Sequence, residues 1–272
     1  MRGVSRPVRV RVLCVAGTHS GGAAGLEMDQ RVLALLGAYA MTAVTSVNAQ
    51  NTLGCHRTFP LPPEMVAAQI DAALSDMRAD AVKTGQLATA ATVRSVAERL
   101  RRYGVRRLVV DPVLASTSGA ALLEPAGEEA LVAELFPLAT VVTPNVPEAE
   151  RLLRRPIADL PAARAAARDL QRLGPAAVVL KGGHLPGPPV DLLYDGQGFV
   201  EYAGERLGVR HTGGGGCAFA SALAAHLAMG AALAEAVAAA KALVAAGIRH
   251  GMGIGAGRGP INAWAFRPDE ED

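Results

Sequence analysis

The chain has 272 residues, with 27 Lys and Arg against 25 Asp and Glu, a formal charge of +2. This balance excludes a strongly basic nucleic-acid binder held by phosphate neutralisation. A hydrophobic content of 50% with 19% charged residues excludes wholesale disorder. Three cysteines, Cys14, Cys55 and Cys217, are too few and too scattered for a disulfide framework or a zinc ribbon, which points to a reducing cytoplasm. The apolar stretch from Val12 to Gly17 is too short for a signal-peptide core, and no run approaches the roughly 18 apolar residues of a spanning helix, so no membrane association is expected.

Strand-length apolar runs alternate with helix-length amphipathic segments. Val8 to Val15 reads as a strand, followed by a glycine-rich loop to Gly25 and a helix from Leu26 to Gly37. Met41 to Val47 is a β-branched strand, and Pro62 to Ser75 a helix with proline in its first turn. Ala81 to Thr84 (strand), Thr92 to Tyr103 (helix) and Arg107 to Asp111 (strand) follow, with no element predicted between there and the strand Thr140 to Thr143. Glu148 to Leu153 and Leu160 to Leu173 are helical, and Ala176 to Lys181 is a strand running into Gly182 and Gly183. Asp191 to Tyr194 and Phe199 to Ala203 flank Asp195-Gly196 as an antiparallel hairpin. Two alanine-rich helices, Ala218 to Met229 and Leu233 to Ile248, close the pattern. The alternation predicts an α/β fold with a central, mostly parallel sheet covered on both faces, in one domain over 1–266 with a polar tail at 267–272. In such sheets ligands bind beyond the carboxyl ends of the strands.

No Gly-Lys-Ser/Thr loop is present. Gly251 to Gly257 imitates a dinucleotide loop but follows a helix, so it reads as a flexible turn. The six histidines are scattered, which argues against a metal centre held by protein nitrogens. The run His211-Thr212-Gly213-Gly214-Gly215-Gly216-Cys217 opens a helix. Amides converging at a helix N-terminus make a cradle for phosphoryl oxygens, where a first-turn thiol has a lowered pKa. The competing reading is a surface loop with a buried structural cysteine. The chain has only three lysines, Lys83, Lys181 and Lys241. Lys181 ends a strand beside two glycines and either meets a transferred phosphate as a point charge or is a solvated turn residue. Asn145 and Glu148 either hold a hydrated Mg²⁺ or cap the helix they open, and Asp111 at another strand end faces the metal or the reacting hydroxyl.

Taken together, and in order, these pieces resemble the hydroxymethylpyrimidine/phosphomethylpyrimidine kinase family of thiamine biosynthesis, in the ribokinase-like superfamily. The landmarks are Ala16 to Thr18 with Gly22 to Asp29, Leu36 to Tyr39, Ala49 to Gly54, Lys83 to Gly85, and Asp111 to Val113 with Ser118-Gly119. They continue with Thr143 to Asn145, Pro147 to Ala149, Leu180 to His184, Gly214 to Cys217 and Gly259-Pro260. The resemblance implies a three-layer α/β/α ribokinase-like fold, a homodimer, and transfer of phosphate from Mg²⁺-ATP to 4-amino-5-hydroxymethyl-2-methylpyrimidine and its monophosphate. By position it implies that Gln50 bonds the aminopyrimidine edge and that Gly17, Ala24, Asp29 and Val113 belong to the substrate pocket. Asn145, Lys181, Thr212, Gly214 and Gly216 would meet ATP, and Glu148 and Asp111 the metal. Gly214, Gly215, Gly216, Cys217 and Lys181 would form the catalytic group, with Cys217 beside the substrate hydroxyl. A pyridoxal-type vitamin kinase and a pyrimidine-binding regulatory protein are the alternatives.

Several residues depart from that pattern. His19, Gly21 and Ala23 alter the first loop, and Gly213, Gly215 and Ala218 the last. Asn48 and Gln86 stand where the family has apolar residues, Gln86 in place of methionine. A more polar substrate pocket is expected.

Overall fold

The computed structural model describes residues 10–116 and 119–266. The start of the first predicted strand at Val8, Ser118 of the family landmarks and the polar tail lie outside them. Eight strands form one sheet: β1 (Arg11–Ala16), β2 (Tyr39–Val44), β5 (Ala81–Thr84), β6 (Leu108–Val110), β7 (Val141–Val142), β8 (Val178–Leu180), β9 (Val190–Tyr194) and β10 (Phe199–Ala203). Their spatial order is β10-β9-β8-β7-β6-β5-β1-β2. All neighbours from β8 to β2 pair in parallel, and the β9–β10 hairpin completes one edge antiparallel. Helices cover both faces, giving the expected three-layer α/β/α architecture.

The alternation within β1 shows how the layers are assigned. Leu13 and Val15 join a core shared with α2 (Pro63–Asp76), α3 (Ala90–Arg102), α4 (Pro125–Ala130), α5 (Val146–Leu153) and α6 (Leu160–Arg172). Val12, Cys14 and Ala16 join a second core with α1 (Gly25–Leu35), α7 (Gly215–Ala228) and α8 (Leu233–Arg249). Successive strand residues point to opposite faces, so a strand buried on both sides must be apolar throughout.

The predicted strand Met41 to Val47 divides at Thr45. The Thr45 amide donates to Ala16 O at 3.0 Å and its hydroxyl to Gln86 O at 2.6 Å, while its carbonyl accepts the Leu61 amide at 2.8 Å. Held on three sides, the chain leaves the main sheet there. It continues as β3 (Ser46–Gln50), which pairs antiparallel with β4 (Cys55–Pro60) in a separate two-stranded sheet. β4 carries no apolar alternation, and His56, Arg57, Phe59 and Pro60 are all exposed. A further unpredicted segment is α4, with proline in its first turn, which runs on through a π-type turn (Leu131–Leu135).

Among the described residues one ion pair is wholly inside the protein. Lys83 Nζ lies 3.0 and 2.8 Å from the two carboxylate oxygens of Asp29, with both side chains 0% exposed. The Ser221 hydroxyl donates to the same carboxylate at 2.8 Å. β5, α1 and α7 are thereby tied at one point. Removing one partner of such a pair leaves a buried, uncompensated charge. Lys83→Met is expected to lower unfolding stability by about 3–5 kcal/mol, and adding Asp29→Leu to that variant to recover most of the loss, as read by urea denaturation.

Candidate active site

The carboxyl ends of β1, β5, β6, β7 and β8 deliver Gly17, Gly85, Asp111, Asn145 and Lys181 to one edge of the sheet. A cleft of about 380 Å³ opens there, and a larger one of about 1020 Å³ adjoins it. Asn145, Glu148, Lys181, Gly216 and Arg258 line both, so they form the wall between a small and a large compartment.

Lys181 Nζ contacts Asp111 Oδ1 at 3.0 Å, with the side chains 15% and 3% exposed. The Thr143 hydroxyl donates to the same oxygen at 3.1 Å and fixes the carboxylate. Burial works to lower the Lys181 pKa, but Asp111 and Glu148 outweigh it and hold the group charged. Asn145 and Glu148 form a reciprocal helix cap: the Glu148 amide donates to Asn145 Oδ1 at 2.9 Å, and Glu148 Oε2 accepts the Asn145 amide at 2.8 Å. The capping reading is therefore realised, yet both residues also line the cleft. Burial, with Asp111 adding to it, pushes the Glu148 carboxyl up to about 7 against the pull of Lys181.

Among the described residues no group of three or more His, Cys, Asp and Glu could hold a metal ion by protein atoms alone. Asp111 and Glu148 nevertheless fit a hydrated Mg²⁺. Lys181 and Thr143 both bond Oδ1 of Asp111 and leave its other oxygen, and Mg²⁺ needs only one or two protein oxygens because it keeps its waters.

The glycine run adjoins this wall. Gly214 is the N-cap of α7 with φ +79, and a Cβ there would lie 2.0 Å from Ala23 O, so only glycine fits. A Cβ on Gly216 would lie 3.4 Å from Lys181 Nζ, which places the helix N-terminus beside the ammonium. Amides at that end, the helix dipole and Lys181 together make a site for phosphoryl oxygens.

Cys217 lies in the first turn of α7 but does not have the lowered pKa expected from its position. Burial dominates and pushes the thiol up to about 11; Lys83 opposes this, Asp29 and Asp111 add to it, and the Gly25 amide bonds the sulfur. The group is a neutral thiol at pH 7 and a poor candidate for proton acceptor. Asp29 is a second correction. It is fully buried, does not line the cleft, and is occupied by Lys83 and Ser221, because a carboxylate removed from water requires a paired cation. Lys83, bonded to Asp29, does line the cleft.

Gly17, Ala24, Asn48, Gln50, Gln86 and Val113 all line the smaller cleft. Gly214 and Cys217 line it too, whereas Thr212 and Gly215 line only the larger one. Sequence reasoning missed Arg258. The loop from Gly251 to Gly257 is a fitted strap rather than a free turn: the Arg258 amide donates to Thr52 O at 3.0 Å, and a Cβ on Gly257 would lie 1.9 Å from the same oxygen. The available signal was an arginine set among glycines.

Fold and site define a ribokinase-like kinase of small molecules. The chain belongs to the phosphomethylpyrimidine kinase family, whose model matches residues 19–262. It is 46% identical over 265 residues to a thiamine biosynthesis bifunctional protein of Geobacter sulfurreducens, covering 97% of this chain and 54% of that one. It is 40% identical over 259 residues to the hydroxymethylpyrimidine/phosphomethylpyrimidine kinase of Bacillus subtilis, covering 94% and 96%. Among solved structures, a phosphomethylpyrimidine kinase from Clostridium difficile 630 superposes with a TM-score of 0.77 at 34% identity, covering 86% of this chain and 97% of that one. The pyridoxal kinase from Staphylococcus aureus in complex with AMP-PCP superposes with a TM-score of 0.88 at 33% identity, covering 96% of each chain.

The Cys217 thiol tests the electrostatics directly. With its pKa raised to about 11, the thiolate fraction grows about tenfold per pH unit up to that value. In a Cys55→Ser background, alkylation of Cys217 by iodoacetamide is expected to keep accelerating from pH 7 to beyond pH 9. A rate that levels off near pH 8 is the contrary result.

Proposed function

We propose that this protein phosphorylates 4-amino-5-hydroxymethyl-2-methylpyrimidine, its monophosphate, or both, from Mg²⁺-ATP in thiamine biosynthesis. The observation that carries the reading is the shared wall. Lys181, paired with Asp111, stands between a small compartment reached by Gln50 and a large one suited to a nucleotide, with the amides of α7 beside it. Gln50 lines the substrate compartment, and its main chain is anchored through Ser20 Oγ at 2.9 Å, leaving the side-chain amide for the aminopyrimidine edge. Gly17, Ala24 and Val113 shape the ring site around it.

Asn145, Thr212, Gly214 and Gly216 take the ATP phosphates, and Asp111 and Glu148 hold Mg²⁺, which when bound neutralises charge on the phosphate oxygens. The substrate hydroxyl attacks the γ-phosphorus, the bond to the ADP oxygen breaks, and the hydroxyl proton is released as the new P–O bond forms. Phosphoryl transfer is loose and requires little covalent assistance. Lys181 and the amides of Gly214 to Cys217 therefore contribute mainly by positioning and by stabilising charge on the moving group. Cys217 lines this hole as a neutral group. A homodimer is supported by Val47 and Phe59, which pair across β3 and β4 and are 50% and 61% exposed. A cytoplasmic location accords with the free cysteines.

A pyridoxal kinase activity is the second reading, favoured by the extent of the structural match to the Staphylococcus enzyme. The experiment is ADP release from Mg²⁺-ATP with the aminopyrimidine alcohol, its monophosphate and pyridoxal as acceptors. Turnover of neither pyrimidine overturns the principal reading.

Lys181→Ala is expected to lower kcat by at least a hundredfold while leaving the Kd of the unphosphorylated alcohol within about threefold, since the ammonium acts on charge that develops in transfer. Gln50→Leu is expected to weaken alcohol binding by about 1–3 kcal/mol and to spare ATP. Calorimetry with each ligand separates the two effects.

A further inference from the structure

An alcohol and the phosphate monoester made from it are very different acceptors. The alcohol is neutral, whereas the monoester carries a charge of about −1.5 to −2 at pH 7. It approaches the triphosphate of ATP against like charge, so its transfer needs a cation that the first transfer does not. The lysines and arginines that line the two clefts are, with one exception, already engaged. Lys83 is paired with Asp29 and Lys181 with Asp111. In the large cleft Lys241 is paired with Asp191, Arg151 with Glu128 and Arg249 with Glu205. Arg206 directs its guanidinium to the carbonyls of Gly183, Leu185 and Gly187, and Arg210 donates to Ala256 O at 2.6 Å. The exception is Arg258: among the described residues its guanidinium has no hydrogen bond and no ion pair, and the residue is exposed.

The main chain of Arg258 is fixed from both sides. Its amide donates to Thr52 O at 3.0 Å, and the Gly257 amide to Thr52 Oγ1 at 3.2 Å. Beyond it the Gly259 amide donates to His211 Nδ1 at 3.2 Å, and the Gly259 carbonyl accepts the Gly213 amide at 2.9 Å. Arg258 is thereby held between the loop after β3, which lines the small cleft, and the glycine run that opens α7. Its charge is felt in the large cleft. There the His184 imidazole is held below its ordinary pKa by burial, and then by Arg258, Lys181 and Arg206. A cation with an open head group thus stands at the boundary of the two compartments, where the reacting end of an acceptor must lie.

We infer that Arg258 recognises the phosphate of the monophosphate acceptor and sets the preference of this chain between the two phosphorylations. The guanidinium fork takes two oxygens of that phosphate, a geometry it matches bidentately. The third oxygen attacks the γ-phosphorus, the bond to the ADP oxygen breaks and a P–O–P link forms. The acceptor enters as a dianion, so no proton is released. Lys181 stays with the γ-phosphoryl group, and the two cations meet different charges. The neutral alcohol offers the guanidinium no such partner. This inference rests on the aminopyrimidine kinase reading given above.

The test compares the two acceptors. Initial rates of ADP release from Mg²⁺-ATP are measured with 4-amino-5-hydroxymethyl-2-methylpyrimidine and with its monophosphate, for the full chain and for its Arg258→Gln and Arg258→Lys variants. Arg258→Gln is expected to lower the kcat/KM ratio of monophosphate over alcohol about tenfold or more, chiefly by raising the KM for the monophosphate. Arg258→Lys keeps the charge and loses the fork, and its ratio is expected to lie between those of the parent and the glutamine variant. Equal losses for both acceptors, a loss that resides in the KM for ATP, or a lysine variant no better than glutamine overturns the inference. So does a parent that turns over the alcohol and not the monophosphate. If neither acceptor is phosphorylated, the kinase reading has failed. Calorimetric Kd values for the two compounds, without nucleotide, then decide the role of Arg258 by themselves: a ratio shifted about tenfold by Arg258→Gln sustains it, and an unmoved ratio overturns it.

Discussion

Burial of both faces of the central sheet governs where chemistry can reside in this protein. Val12 to Ala16, Leu108 to Val110 and Val178 to Leu180 are packed on either side and have no room for charge along their lengths. Polar side chains are admitted where the strands stop. Asp111 and Lys181 are the first residues beyond β6 and β8, and they neutralise each other across the sheet edge. Parallel pairing brings all such ends to one side, so residues 70 positions apart become partners at 3.0 Å.

Lys83 falls within a strand, as does Asp191 with its partner Lys241, and it shows what such a position requires. Its ammonium is fully out of water and is matched by Asp29, which is itself satisfied by Ser221. The pair joins β5 to the helix that opens after the first glycine loop, and the Ser221 bond joins that helix to the one that carries the anion-binding amides. The close approach of Gly214 to the Ala23 carbonyl acts between the same two elements. The phosphate site is consequently a product of how α1 and α7 are held together, and not of the glycine run alone.

The environment also separates two groups that look alike by position. Lys181 and Cys217 both sit where a helix end or strand end favours the charged form. Lys181 has carboxylates on hand and stays charged. Cys217 is buried among groups whose charges largely oppose one another, so desolvation prevails and the thiol remains protonated. Phosphoryl transfer tolerates this, because orientation and charge stabilisation do not require a strong base.

Much of the architecture was legible in the chain itself. Strand–helix alternation, the β9–β10 hairpin around Asp195-Gly196 and the order of the loops follow from periodicity and turn chemistry, which act over a few residues. Most of the residues expected to contact ligands do line the two clefts, since strand ends can be recognised locally. β3 and β4 were not legible as a separate sheet, because their residues pair with each other outside the main core and lack its apolar signature. The role of Asp29 was not legible either, since its partners lie 54 and 192 residues away. Nor was the orientation of the Gln86 and Asn48 amides, which depends on a bond between β3 and the loop after β5 and on Thr18. The sequence by itself determined the layers, the parallel sheet and the edge at which ligands bind, for these depend on residue type and short-range spacing. Only the tertiary structure decided which charges pair and which thiol keeps its proton, because burial and distance between remote segments exist only once the chain has folded.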